Sequence, residues 1–166
     1  MSVFNSLPPK INENILIKWL KSNYSFLNRK SFTIKPLNSE RDKNFLLIIN
    51  AKEKFVLKIS NSKESKDFLE LQDYVLNQLS KSIQIKKYIP KKKHSKIKIF
   101  SDLNKRKCYV RILSFIDGKM YAVAKKNSDL EISLGTLLGN LSRELQNLIK
   151  PSALRRFEWD PSNISW

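Results

Sequence analysis

The chain has few of the residues from which many catalytic centres are built. Its 166 residues include one cysteine, Cys108, and one histidine, His94. A single cysteine cannot form an intramolecular disulfide, and a cysteine-based metal site needs further thiolates at short spacing. His94 stands in a lysine-rich stretch, where a solvated surface residue is the common case. These shortages exclude metallohydrolases and enzymes with a Cys–His nucleophile pair.

Glycine and long apolar runs are also scarce. Three glycines are too few for a collagen-like or Gly-rich linker sequence. No run approaches the roughly 18 apolar residues of a bilayer-spanning helix. The first 20 residues lack the basic segment, apolar core and cleavage site of a secretory signal. With 41% hydrophobic residues, we expect a folded, cytoplasmic protein with one proper core.

Positive charge is abundant, with a formal net charge of +17. One explanation is a polyanionic partner such as nucleic acid or an acidic membrane surface. The other is biased composition, because Ile, Asn and Ser are abundant along with Lys. Lysines occur from Lys10 to Lys150 rather than on one candidate face. The charge alone does not choose between the two.

The hydrophobic pattern predicts an α+β fold. Helical spacing in residues 11–20 predicts a first helix. Residues 31–37, 45–50 and 54–60 predict a three-stranded antiparallel meander. A helix follows in residues 62–81, with Asn61 or Ser62 as its cap, and then two strands in residues 97–101 and 107–116. A long helix from Leu130 to Ile149 ends before Pro151.

This order gives a five-stranded antiparallel sheet with one helix, and it matches the N-terminal lobe of protein-kinase-like enzymes. The corresponding division is an N-terminal helix in residues 1–23, the lobe in residues 24–117, and a linker with the start of a C-terminal lobe in residues 118–166. Such a lobe needs a turn over the phosphates, a lysine on the third strand and a carboxylate on the next helix that holds the lysine.

Lys58 is the candidate lysine. Alternation along the strand places Phe55, Leu57 and Ile59 on one face and Lys58 on the other. Glu70, twelve residues later on the predicted helix, is the candidate carboxylate, and Glu64 competes with it. The alternative is that all of these are solvated charges.

The segment LNSERDKNF, residues 37–45, is the candidate phosphate turn because it joins the first two strands. Backbone N–H groups of such a turn can cradle phosphates without a catalytic side chain. The turn has no glycine, so it is not the Gly-rich loop of protein kinases. An ordinary polar hairpin turn is the alternative.

Taken in order, the segments LNSERDKNF, FVLKISN, VRILSFIDG and RRFEWD resemble the front part of hydroxylysine kinase and its bacterial relatives. These belong to the aminoglycoside phosphotransferase family, and some are fused to aminotransferase domains. The match runs from about Leu37 to Asp160. It implies a nucleotide, ATP or GTP, and phosphate transfer to a hydroxyl of a small amine or amino acid. The nucleotide-binding residues that it implies are Ser39, Glu40, Arg41, Asp42, Lys43, Asn44, Lys58, Glu70, Ile112, Leu113, Ser114 and Phe115, the last four as the backbone linker that meets the adenine.

The same family needs a later loop with a catalytic aspartate and with Mg²⁺ ligands. No H-x-D-x-x-x-x-N pattern occurs in the 166 residues. We therefore expect no catalytic residue and no metal ligand here, and no turnover by this chain alone, whether it is a fragment, one piece of a split gene or a remnant. The missing C-terminal lobe or a fused aminotransferase domain is then an expected partner.

Two other functions compete. A basic nucleic-acid-binding module would use the cluster Lys86, Lys87, Lys91, Lys92, Lys93, Lys96 and Lys98. That cluster contains one aromatic residue, Tyr88, where stacking platforms need several, and no known nucleic-acid-binding motif is present. A non-catalytic partner domain would instead expose the leucine stripe of residues 130–149 to another polypeptide.

Overall fold

The computed structural model describes residues 6–94 and 96–153. They fall into two compact units, one made of residues 6–64 and 88–124, and the other of residues 65–87 and 125–153. The segment RRFEWD, residues 155–160, lies outside the described residues. Among the described residues, no helix has the length and apolar character needed to cross a membrane.

The first unit is built on a five-stranded antiparallel sheet. Its strands are β1 (Phe32–Leu37), β2 (Lys43–Ile49), β3 (Glu53–Ile59), β4 (Lys98–Ser101) and β5 (Lys107–Ser114). They lie in the order β1-β2-β3-β5-β4, and every neighbouring pair is antiparallel. The predicted α+β class and the five-stranded antiparallel sheet are confirmed.

One face of this sheet carries the core. Helices α1 (Glu13–Asn23) and α2 (Ser25–Asn28), with Tyr24 between them, add four fully buried residues to the same cluster as the strand residues: Leu16, Leu20, Tyr24 and Leu27. Asn12 caps α1, because its side chain accepts a hydrogen bond from the Ile15 N–H at 3.2 Å. The apolar residues that the alternation predicted for the core face of β3 are buried there: Phe55, Leu57 and Ile59.

A tight turn joins β2 to β3. Asn50 and Ala51 have φ values of 48° and 58°, and the Lys52 N–H donates to the Ile49 carbonyl at 3.0 Å. Two successive residues with positive φ are typical of a type I′ hairpin turn, whose twist matches that of the strands. Ala51 occupies a position that glycine usually fills.

The segment before α1 is tied to the β4–β5 turn. Asp102 is 4% exposed and accepts a hydrogen bond from the Lys10 N–H at 3.2 Å, and the Leu103 N–H donates to the Lys10 carbonyl at 2.9 Å. The Arg106 guanidinium donates to the carbonyls of Leu7 and Pro8 at 3.3 and 3.0 Å. Residues 6–10, which we call the N-terminal strap, are therefore part of the folded unit.

The second unit contains α3 (Lys66–Leu79) and α4 (Ser128–Leu145). The cap predicted for α3 was wrong: Ser65, not Asn61 or Ser62, caps it, and its hydroxyl accepts from the Phe68 N–H at 3.4 Å. α3 contacts α4 and the short 3-10 helix Pro151–Ala153. The predicted long helix is confirmed as α4, although it ends at Leu145 rather than at Ile149.

Candidate functional site

A row of polar side chains crosses the face of the sheet opposite the core. Lys58 on β3 lies directly across from Asn44 on β2 and from Arg111 on β5. Residues directly opposite each other in an antiparallel pair project to the same face. Asn44, Lys58 and Arg111 therefore stand side by side on three adjacent strands, and Arg111 is 5% exposed.

Lys58 is partly withdrawn from water. Burial lowers the pKa of its amine below the ordinary value, the positive charge of Arg111 lowers it further, and the carboxylate of Asp42 opposes both effects. An ammonium that has lost part of its hydration, with a second cation beside it, favours an anionic ligand. The Oδ1 atom of Asn44, in the same row, is buried and has no hydrogen-bond partner in the part of the chain that the structure describes.

The predicted phosphate turn lies at the β1–β2 end of this row. The Ser39 hydroxyl donates to the Asp42 carbonyl at 2.8 Å and closes the turn. Arg41 forms an ion pair with Glu40 at 3.3 Å, and the Glu40 side chain is 82% exposed. Lys43 and Asn44 have already entered β2. The turn thus brings Asp42 into the electrostatic range of Lys58.

Asn61 fastens this turn, a role that the sequence did not indicate. It is fully buried just after β3. Its backbone N–H donates to Oδ1 of Asp42 at 2.9 Å, and its Nδ2 donates to the Arg41 carbonyl at 3.2 Å. The side chain also bonds Ser6 and Leu7 of the N-terminal strap. These contacts span 19 to 55 residues of sequence, so no local pattern could have revealed them.

The helix carboxylates lie in the second unit or at its border. Glu70 forms an i,i+4 ion pair with Lys66 at 2.8 Å, and its side chain is 52% exposed. Asp73 is the acidic residue of α3 that is buried, at 5% exposure. The pairing of Lys58 with Glu70 stays a prediction. Within the first unit, Asp42 is the carboxylate whose charge acts on Lys58.

The strand end predicted to meet the adenine is partly occupied by internal hydrogen bonds. The Ile112 carbonyl accepts from the Lys93 N–H at 2.9 Å, and the Ser114 N–H donates to the Lys91 carbonyl at 2.7 Å. The Phe115 N–H donates to the Lys54 carbonyl at 3.2 Å. The Ser114 carbonyl takes no part in these bonds.

An apolar strip lies one row along the sheet from Lys58, on the same face. It consists of Leu46, Val56 and Leu113, which are directly opposite one another on β2, β3 and β5. In this strip Leu46 and Val56 are half-buried and Leu113 is buried. An apolar surface next to cationic groups suits a ligand with an aromatic base and an anionic tail. Sequence alternation could have shown this strip, since Val56 precedes Lys58 by two residues.

Beyond the strip, near the start of β3, Asp117 forms an ion pair with Lys54. The Lys54 amine contacts its Oδ1 at 2.6 Å and lies 5.6 Å from the centre of the Phe115 ring. Both partners of the ion pair are substantially exposed. Lys54 is therefore an exposed lysine with a partner at the surface, whereas Lys58, on the same face, is partly buried.

The basic cluster is partly engaged with aromatic rings. The Lys93 amine lies 4.9 Å from the centre of the Phe55 ring and 5.5 Å from that of Phe26. The Lys98 amine lies 5.2 Å from the centre of the Tyr24 ring. Cation–π contacts hold these two lysines against the first unit, which weakens the case for a nucleic-acid surface made of freely extended lysines.

Other candidate chemistries find little support. No group of three or more His, Cys, Asp or Glu side chains that could hold a metal ion occurs among the described residues. Cys108 is fully buried, and burial raises the pKa of its thiol to about 11. A buried, protonated thiol is not a nucleophile at neutral pH.

In α4, Leu134 and Leu138 are 39% and 53% exposed, so part of the leucine stripe is open to solvent.

Comparisons with known proteins include a distant likeness among solved structures. No protein-family model matches the chain, and no curated protein matches it. Among solved structures, it is similar to one described as "Structure of the microcompartment-associated aminopropanol kinase", with 14% sequence identity and a TM-score of 0.49. The similarity covers 90% of this chain and 45% of that one, so the chain spans less than half the length of that protein. The candidate site is therefore inferred from the geometry of this chain and not from the solved structure.

Proposed function

We propose that the first unit is the nucleotide-binding lobe of a small-molecule kinase and that Lys58 contacts the nucleotide phosphates. The observation that carries the proposal is the partly buried amine of Lys58, which stands on the third strand between Asn44 and Arg111. Withdrawing an ammonium from water costs free energy, and an anionic ligand recovers it. The strand order and the helix that follows β3 are those of the lobe that the sequence resembles.

In this proposal the turn of residues 38–42 covers the phosphates. The nucleotide is ATP or GTP, and its base lies against the strip of Leu46, Val56 and Leu113. Since several backbone groups of residues 112–115 are bonded internally, the Ser114 carbonyl is the acceptor that we assign to the base. Glu70 would complete the site by pairing with Lys58, as the resemblance implies.

The acceptor that we propose is a hydroxyl group of a small amine or amino acid, and the location is the cytoplasm. The general base and the Mg²⁺ ligands that phosphoryl transfer needs are not supplied by any motif in these 166 residues. The proposal therefore concerns nucleotide binding by the first unit, which carries the strands of the lobe expected in residues 24–117. Residues 118–166 are expected to form the linker and the start of a second lobe. A C-terminal lobe or an aminotransferase domain would be the partner.

Thermal unfolding in the presence of ATP or GTP tests the proposal. A ligand at 100 times its Kd stabilises the native state by about 2.7 kcal/mol, so the unfolding midpoint of the wild-type chain should rise with nucleotide. Lys58→Ala should abolish the rise. Lys107→Ala is the matched control, because it removes the same charge from an exposed position at the start of β5. No rise in the wild-type protein, or an equal rise in both variants, would refute the proposal.

A further inference from the structure

Asn61 is the residue through which the N-terminal strap reaches the turn of residues 38–42. Its Oδ1 accepts from the Ser6 hydroxyl at 2.8 Å and from the Lys63 N–H at 3.0 Å. Its Nδ2 is surrounded by three carbonyls, those of Leu7, Arg41 and Ser6, at 3.1, 3.2 and 3.4 Å. Donors surround the oxygen and acceptors surround the nitrogen, so this network requires a side-chain amide in one orientation.

The hydrogen bond from Asn61 to the Arg41 carbonyl also determines the direction of the next backbone N–H, that of Asp42. The peptide between Arg41 and Asp42 is planar, and the carbonyl and N–H of a trans peptide point in opposite directions. Since Asn61 holds the Arg41 carbonyl on the inner side of the turn, the Asp42 N–H is directed away from Asn61. A backbone N–H fixed in this way is the kind of donor that a phosphate-binding turn presents.

The backbone of Asn61 acts on the same turn from a second point. Its N–H holds Oδ1 of Asp42 at 2.9 Å, and the charge of Asp42 acts on Lys58. One buried residue thus holds both the Arg41 carbonyl of the turn and the carboxylate whose charge acts on the candidate lysine. All of these groups belong to the first unit.

We propose that Asn61 is a positioning residue for nucleotide phosphates: it locks the turn of residues 38–42 by tying the Arg41 carbonyl and the Asp42 carboxylate to the N-terminal strap. This inference rests on the proposed nucleotide-binding function. It assigns no contact between Asn61 and the nucleotide. It predicts that Asn61 supports binding of the phosphates and contributes nothing to binding of the base.

The test compares the affinities of ATP and adenosine by calorimetry, because adenosine keeps the base and lacks the phosphates. In Asn61→Asp, the oxygen that accepts from Ser6 and Lys63 remains, while the amide that donates to the Arg41 carbonyl, and to the carbonyls of Ser6 and Leu7, is lost. Losing that donor should weaken ATP binding by about tenfold, the equivalent of one strong hydrogen bond. Adenosine affinity should stay within about twofold of the wild-type value. Asn14→Asp, on the exposed first turn of α1, is the matched control and should change neither affinity.

Ser6→Ala provides a milder variant that keeps Asn61 in place and removes the 2.8 Å bond to its oxygen. It should weaken ATP binding by about threefold and leave adenosine binding unchanged, so the proposal stays testable if Asn61→Asp does not fold. Equal losses of ATP and adenosine affinity, or no loss of either, would overturn the role of Asn61 while leaving nucleotide binding intact. A wild-type chain that binds neither ligand would instead overturn the proposed function.

Discussion

The Asp102 carboxylate should be one of the largest single contributors to the stability of the first unit. Its side chain is fully buried and accepts five hydrogen bonds. Three come from the backbone N–H groups of Lys10, Asn104 and Arg106, at 3.2, 3.0 and 2.9 Å. The other two come from Nε and Nη2 of Arg106, at 2.9 and 2.7 Å. Asp102 thereby joins the β4–β5 turn to the N-terminal strap.

Replacing Asp102 by Ala removes all five acceptor contacts at once. Removing one partner of a buried ion pair typically costs about 3–5 kcal/mol. The Arg106 side chain is 28% exposed, so water can solvate part of its charge after the substitution. We therefore expect the lower end of that range, a loss of about 3 kcal/mol in the free energy of unfolding.

Urea unfolding followed by far-UV circular dichroism measures this loss. Asp117→Ala is the control, because its ion pair with Lys54 is no longer than that of Asp102 with Arg106, at 2.6 Å against 2.7 Å, but its side chain is 73% exposed. An exposed pair contributes about 0–1 kcal/mol. If Asp102→Ala costs no more than Asp117→Ala, the reasoning from burial is wrong.

The pH dependence provides an independent check. Burial alone would raise the pKa of Asp102, but the hydrogen bonds from Arg106 and Lys10 outweigh it and lower the pKa below the ordinary value. A carboxyl group with a lowered pKa in the folded state contributes stability above its unfolded pKa, about 4. That contribution is lost as the pH falls through the folded pKa. The difference between wild type and Asp102→Ala should be constant near neutral pH and shrink in acid, and a difference that persists at low pH would contradict this.

Three further substitutions test single features of the first unit. Tyr24→Phe should raise the free energy of unfolding by about 1 kcal/mol, because the buried Tyr24 hydroxyl has no hydrogen-bond partner among the described residues; a loss of stability in urea unfolding would contradict this. Ala51→Gly should stabilise by about 0.5–1 kcal/mol, since Ala51 has a φ of 58°, and an unchanged midpoint of urea unfolding would show that the strain is absent. Lys58→Met should raise stability at neutral pH while abolishing ATP binding, because burial lowers the pKa of Lys58 and the charged amine is therefore destabilising. The gain should fade as the pH rises through the lowered pKa toward 10.5, where the wild-type amine is also neutral; a gain that does not change with pH would contradict the assignment.

Much of the sheet could be predicted from the sequence because its signals are local. Two apolar runs separated by a short polar link located β2 and β3, and alternation along β3 placed Lys58 on the face opposite Leu57. The residues that hold the turn could not be found in this way. Asn61 meets Ser6 across 55 residues, and Asp102 meets Lys10 across 92. A buried polar residue is defined by partners that only the folded chain brings together.

The correction to the cap of α3 has the same origin. Three nearby residues, Asn61, Ser62 and Ser65, offer capping side chains, and the sequence does not distinguish among them. In the fold, the Asn61 amide is occupied by the turn and the strap, so the helix begins only after Ser65. Likewise, the hydrogen bonds of Ile112 and Ser114 with Lys93 and Lys91 join segments about 20 residues apart, and no local pattern indicates them.

Hydrogen–deuterium exchange with and without saturating ATP tests the central claim most directly, because it locates the ligand as well as detecting it. The account predicts that ATP slows exchange in residues 38–44 and 54–61, around the turn, Lys58 and Asn61, and leaves the basic segment of residues 86–98 unchanged. Slower exchange confined to residues 86–98, or no change anywhere in the first unit, would contradict it.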